Sequence, residues 1–141
     1  MTSYAERKGR GGKRSELKKS INDSTFTALR HDVINNPRFL GLSNSAKVAF
    51  LHLLAKYNRK NNGDLSAPQS RSKQEFNLSA PSLRTGLKEL EQNGFIETTR
   101  QGGKNQCSLY ALTCFPLNDV NKAGIFIKAT ERPNDKWKKS F

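Results

Sequence analysis

Apolar residues recur at helical spacing in two well-separated stretches. In the first, Ala46, Ala49, Phe50, Leu53, Leu54 and Tyr57 make one wide stripe, which predicts a long helix over residues 43–57. Ser43 is placed to cap it. In the second, Leu83, Leu87 and Leu90 share one face. Ser79 is a suitable N-cap, and Pro81 fits the first turn, where a missing N–H costs little. Asn93-Gly94 stops this helix, because glycine accepts the left-handed geometry of a C-cap. The polar run Asn58-Arg-Lys-Asn-Asn-Gly-Asp64 between the two stretches is a turn. Leu65-Ser66-Ala67 predicts a short strand, Pro68 allows a new helix over 69–76, and Asn77-Leu78 turns it into the helix that follows.

After Gly94 the period changes. Phe95–Arg100 and Cys107–Thr113 read as two strands joined by Gln101-Gly102-Gly103, with Ile96, Tyr110 and Leu112 pointing inward. Upstream, residues 25–42 hold Phe26, Leu29, Val33, Ile34, Phe39, Leu40 and Leu42. A short helix near residues 29–35, ended before Pro37, is expected there. Residues 124–128 (GIFIK) could form one more strand. Two helices joined by a short turn, then a hairpin, predict an α+β fold of the winged helix-turn-helix type.

Charge sharpens this picture. The 141 residues carry 25 Lys+Arg against 12 Asp+Glu, a net charge of +13, which favours a polyanionic partner. Residues 1–20 hold seven cations and two glutamates, and residues 122–141 hold six cations with Glu131 and Asp135. The expected organisation is a disordered basic arm (1–24), a winged-helix domain with a helical leader (25–121) and a basic C-terminal tail (122–141). Arg7, Lys8, Arg10, Lys13 and Arg14 on the arm, and Lys136, Lys138 and Lys139 on the tail, read either as sequence-independent phosphate contacts or as solvated termini.

With the leucines of the 79–93 helix facing the core, Ser82, Thr85, Lys88 and Glu89 lie opposite and Arg84 lies on the flank. A helix of ~21 Å fits a duplex major groove ~12 Å wide. Ser82, Arg84, Thr85 and Lys88 are therefore the candidates for base contact. Ser70, Arg71 and Lys73 on the preceding helix, and Arg100, Lys104 and Asn105 on the hairpin, are candidates for the DNA backbone. Glu89 and Glu91 argue for an ordinary solvated face. Gly86, in mid-helix, either admits the preceding helix or has no consequence.

The run LSNSAKVAFLHLLAKYN, then NNGDLSAP, then LSAPSLRTGLKELEQNGFIETTRQGG, then CSLYALT, resembles bacterial winged helix-turn-helix domains. It is similar in flavour to the small ones of phages, plasmids and other mobile elements. The resemblance covers about residues 43–113. It implies insertion of the 80–93 helix into the major groove of double-stranded DNA, in transcription regulation or replication. The basic ends and the lack of a recognisable effector domain depart from a ligand-sensing regulator.

Other classes are weighed beside this one. Winged helices also serve as docking modules for a protein or nucleoprotein complex. RNA or single-strand binding would call for aromatic platforms, and the basic ends are sparse in aromatic residues, Tyr4 and Trp137 among them. A homodimer would use the leader. No catalytic constellation, metal set or cofactor motif stands out. His31 and His52 are the only histidines, and Cys107 and Cys114 do not match a paired metal motif. No apolar run reaches ~18 residues, and no secretion signal opens the chain. The expected location is the cytoplasm, with the nucleoid.

Overall fold

The computed structural model describes residues 14–139. Arg7, Lys8, Arg10 and Lys13 lie outside the described residues. Within the expected disordered arm, residues 14–20 are helical (α1) and exposed, and the chain turns through Asn22 and Asp23 at positive φ. The leader carries two one-turn helices where one was expected, His31–Ile34 (α2) and Pro37–Leu40 (α3). Pro37 forces the break, and the Asn36 side chain restarts the helix by accepting the Arg38 N–H at 2.8 Å.

Asn44–Lys56 (α4) begins at the Ser43 cap, whose hydroxyl accepts the Ala46 N–H, and it buries Ala46, Ala49, Phe50, Leu53 and Leu54. Leu65–Ser66 (β1) follows. A 3-10 turn at Gln69–Arg71 runs into Ser72–Phe76 (α5). Asn77 takes the left-handed conformation at φ 52°, and Ser79 caps Ala80–Gln92 (α6) by accepting the Ser82 N–H. Leu83, Leu87 and Leu90 are buried, as their spacing predicts. Gly86 is buried with them. A Cβ there would stand 3.0 Å from the Ser45 carbonyl oxygen and 3.2 Å from the Ala46 Cα. The glycine therefore admits α4, the first long helix, rather than α5. At the end of α6, Gly94 has φ 82° and the Phe95 N–H reaches back to the Leu90 carbonyl at 2.9 Å.

Ile96–Arg100 (β2) and Leu109–Leu112 (β3) pair antiparallel, with Ile96 opposite Leu112 and a bulge between Thr98 and Arg100. β1 pairs with the other edge of β3, Leu65 opposite Tyr110, so the sheet order is β1-β3-β2. Alternation sends Leu65, Ile96 and Leu112 into the helical core. Leu109 turns to the other side and packs with Val120, Ile125 and Ile127. These belong to a second hairpin, Val120–Lys122 (β4) and Ile125–Ile127 (β5).

Residues 122–141 are not a free basic tail as far as the structure describes them. Beyond β5 the chain returns to the core, where the Asp135 N–H meets the Thr113 carbonyl at 3.0 Å. Trp137, in the 3-10 turn Lys136–Lys138, is 3% exposed. It stacks on Phe95 at 6.1 Å between ring centroids, and Phe95, Phe39 and Phe50 meet edge to face. Two leader arginines hold this return. Arg30 donates to Asp135 at 2.7 Å and to the Cys114 carbonyl at 2.8 Å, and Arg38 donates to the carbonyls of Trp137 and Lys139. Lys136 stands 3.9 Å from Glu97, and Lys138 lies near Asp135 and Asp32 and over the indole ring. The reason is burial: one tryptophan closes a gap between leader and sheet, and its flanking cations follow it to the surface beside carboxylates.

One polar side chain ties the layers together. Asn62 is 0% exposed. Its amide nitrogen donates to the carbonyls of Leu112, Phe115 and Pro116, and its amide oxygen accepts the Leu112 N–H at 2.7 Å. Its backbone exchanges two further bonds with Asn118. Nothing in the periodicity of the sequence marks it, since it lies in the Asn-Asn-Gly-Asp turn.

Candidate nucleic-acid interface

α5 and α6 are joined by the three residues Asn77–Ser79, and α6 turns its leucines toward α4. Packing then decides what the other side displays. Arg84, Thr85 and Lys88 are exposed along one outer face. Ser82 is half-buried, and its hydroxyl accepts a bond from the Ser79 hydroxyl at 2.9 Å, so it serves the cap more than the face. The Arg84 guanidinium donates to the Gln69 side chain at 3.1 Å, which aims it along the start of the preceding helical segment. Ser70, Arg71 and Lys73 are exposed on that segment. The structure thus brings Arg84 beside the 69–73 stretch and keeps Thr85 and Lys88 on the same helix.

The carboxylates are occupied elsewhere. Glu89 accepts the Ser43 N–H at 2.7 Å, which ties α6 to the start of α4. Glu91 is bonded to the Thr98 hydroxyl on β2. Glu75 is held by Lys56 and by Arg71, the latter at 2.6 Å, an i, i+4 pair. The Lys56 ammonium first, and then Arg71, hold the Glu75 carboxyl below its ordinary range. The first two turns of α6 present Arg84 and the Thr85 hydroxyl without a carboxylate, and Lys88 follows in the third turn.

The β2–β3 hairpin supplies a second element. Gly103 and Gln106 exchange two backbone hydrogen bonds around Lys104-Asn105, and Asn105 takes φ 61°. Lys104 and Asn105 are exposed at this tip. Arg100 has a different place from the one expected. Its guanidinium donates to the Cys107 carbonyl at 2.9 Å and to the Ala123 carbonyl at 3.0 Å, and so binds the hairpin base to the β4–β5 turn. The 120–127 hairpin that supplies Ala123 is remote in sequence, and no local signal reveals this bond.

The remaining chemistry is structural in character. Burial pushes the Cys114 thiol up to about 12, and Cys107 is exposed. The His52 ring lies edge-on to Phe76 at 5.9 Å. No group of His, Cys, Asp and Glu among the described residues could hold a metal ion. No helix among them is long and apolar enough to cross a membrane.

No family model and no curated protein matches this chain. One solved structure that it resembles is described as the N-terminal domain of a DNA binding protein, at 16% identity and a TM-score of 0.48, over 75% of this chain and 84% of that one.

Proposed function

We propose that this protein is a non-enzymatic, sequence-specific binder of double-stranded DNA with a winged helix-turn-helix fold. α5 and α6 are the helix-turn-helix, α6 lies in the major groove, and the Lys104-Asn105 tip is the wing on the backbone or minor groove. The observation that carries this reading is the outer face of α6: Arg84, Thr85 and Lys88 are exposed together while Glu89 and Glu91 are bonded into the fold. Arg and Lys read guanine O6 and N7, and Thr can meet a base or a phosphate. Arg71, Lys73 and Lys104 supply phosphate contacts that fix the register. The net charge of +13 supports the same partner. The process is transcription regulation or replication of a mobile element, in the cytoplasm at the nucleoid.

Selection of a preferred site from a random duplex pool tests the reading. A consensus should emerge, and Lys88→Ala should weaken the selected site by about 1–3 kcal/mol while affecting unrelated duplex much less. Equal loss on both would make Lys88 a phosphate contact, and failure to enrich any sequence would remove base reading from the proposal.

A further inference from the structure

Half of the exposed large apolar side chains among the described residues gather at one place. Phe26, Leu29 and Leu51 are three of the six such residues among the described residues, at 52%, 41% and 51% exposure, and all three line one groove of about 860 Å³. The extended segment 25–29 forms one wall and the outer side of α4 forms the other. Tyr57, stacked on Phe115 at 4.7 Å, closes one end. Three large apolar side chains thus converge on one concave surface.

Its position and charge say what fits. Leu51 lies on the far side of α4 from Ala46, Ala49 and Leu53, which face the core, while Ala46 meets α6 at Gly86. The groove is therefore on the back of the α4–α6 pair, away from Arg84, Thr85 and Lys88. It follows the last one and a half turns of α4, from Leu51 to Lys56, roughly 9 Å of helix, and continues past the helix end along Tyr57, Asn58 and Arg59. No aspartate or glutamate lines it, while Lys56 and Arg59 do. Lys56 is held by Glu75, and Arg59 is exposed at the Tyr57 end.

We infer that this groove docks an amphipathic helix of a partner protein, with two or three large apolar residues at i, i+3 or i+4, and i+7, and a carboxylate at the end that meets Arg59. The apolar spacing is that of a helix laid into a groove that runs from Leu51 past the end of α4 to Arg59. The carboxylate follows from Arg59, exposed at the Tyr57 end of a lining that holds no acid. Because the groove and the α6 face look in opposite directions, the domain can hold DNA and a protein together.

The test is selection from a displayed library of random helical peptides against the full-length chain at moderate salt, followed by fluorescence anisotropy with the enriched peptides. Enriched sequences should carry the apolar spacing and a net negative charge. Leu51→Asp and Phe26→Asp should each weaken them at least about tenfold, because a carboxylate placed in an apolar contact must be desolvated. Arg59→Glu should weaken the acidic peptides several-fold. Both apolar positions are half-exposed, so the variants should keep the wild-type melting temperature, and either one alone can decide. The inference fails if no such pattern is enriched, or if binding survives Leu51→Asp and Phe26→Asp. It also fails if light scattering finds a dimer that Leu51→Asp dissociates, which would give the groove to a second copy of this chain.

Discussion

Replacing Asn62 by alanine removes a buried amide that serves four backbone groups. Its amide nitrogen lies 2.9 Å from the Leu112 carbonyl, 3.1 Å from that of Phe115 and 2.9 Å from that of Pro116, and its oxygen lies 2.7 Å from the Leu112 nitrogen. The amide has two hydrogens, so it makes two full bonds among the three carbonyls. Alanine leaves the Leu112 N–H and at least one carbonyl without a partner in a site that is 0% exposed. At about 1–3 kcal/mol for each orphaned group, the loss should be about 3 kcal/mol or somewhat more. Asn62→Asp has the same shape but turns a carboxylate toward the three carbonyls, which raises the folded-state pKa of the introduced group above its unfolded value. The aspartate variant is therefore most stable below the unfolded pKa of about 3.9 and loses stability as pH rises through the folded value. Urea denaturation followed by fluorescence checks both variants, because Trp137 is the single tryptophan and sits in the core. A loss below about 0.5 kcal/mol for Asn62→Ala would refute the account of Asn62 as the tie between layers. So would an aspartate variant whose stability, relative to wild type, does not change with pH.

Three further outcomes follow from the packing. Gly86→Ala gains about 1 kcal/mol of helix propensity but pushes a methyl to 3.0 Å from the Ser45 carbonyl oxygen, and overpacking costs about 1–3 kcal/mol; denaturant melts should show no gain or a net loss, and a clear stabilisation would mean that α4 and α6 separate freely. Trp137→Ala should cost about 3–5 kcal/mol, read by circular dichroism, and a chain ended at residue 121 should unfold still more readily; a wild-type melting curve for either would restore the free tail. Because the Glu75 carboxyl lies below its ordinary range, its contribution is present above the unfolded pKa of about 4.3 and is lost as pH falls through the folded value. Glu75→Gln should flatten that part of the acid limb, and an unchanged acid limb would assign the loss to other groups.

Features set by neighbours along the chain were legible in the residues. Ser43 and Ser79 cap their helices, Gly94 stops α6, and Leu83, Leu87 and Leu90 are buried, because each depends on contacts a few residues away or on a period of 3.6. What depends on distant partners was not legible. Trp137 reads as an aromatic in a basic tail until Arg30, Arg38 and Phe95 are seen around it. Arg100 reads as a cation for phosphate, yet the Ala123 carbonyl, 23 residues on, takes one of its donors. Glu89 reads as a repulsive charge on the outer face, and the Ser43 N–H that accounts for it lies 46 residues away. On the candidate interface, the exposure of Arg84, Thr85 and Lys88 followed from the leucine spacing, while the role of Ser82 in the cap needed the structure.

The central claim is that α6 grips duplex DNA. It is tested most directly by titrating the full-length chain, and the variant Arg84→Ala, Thr85→Ala, Lys88→Ala, against the selected site and against mixed-sequence duplex at low and moderate salt. The account predicts that the wild type binds both, that its affinity falls steeply as salt rises, and that the triple variant loses most of its preference for the selected site while keeping most of its affinity for mixed-sequence duplex. Wild-type and variant curves that superimpose on the selected site, or no binding of duplex at low salt, would contradict it.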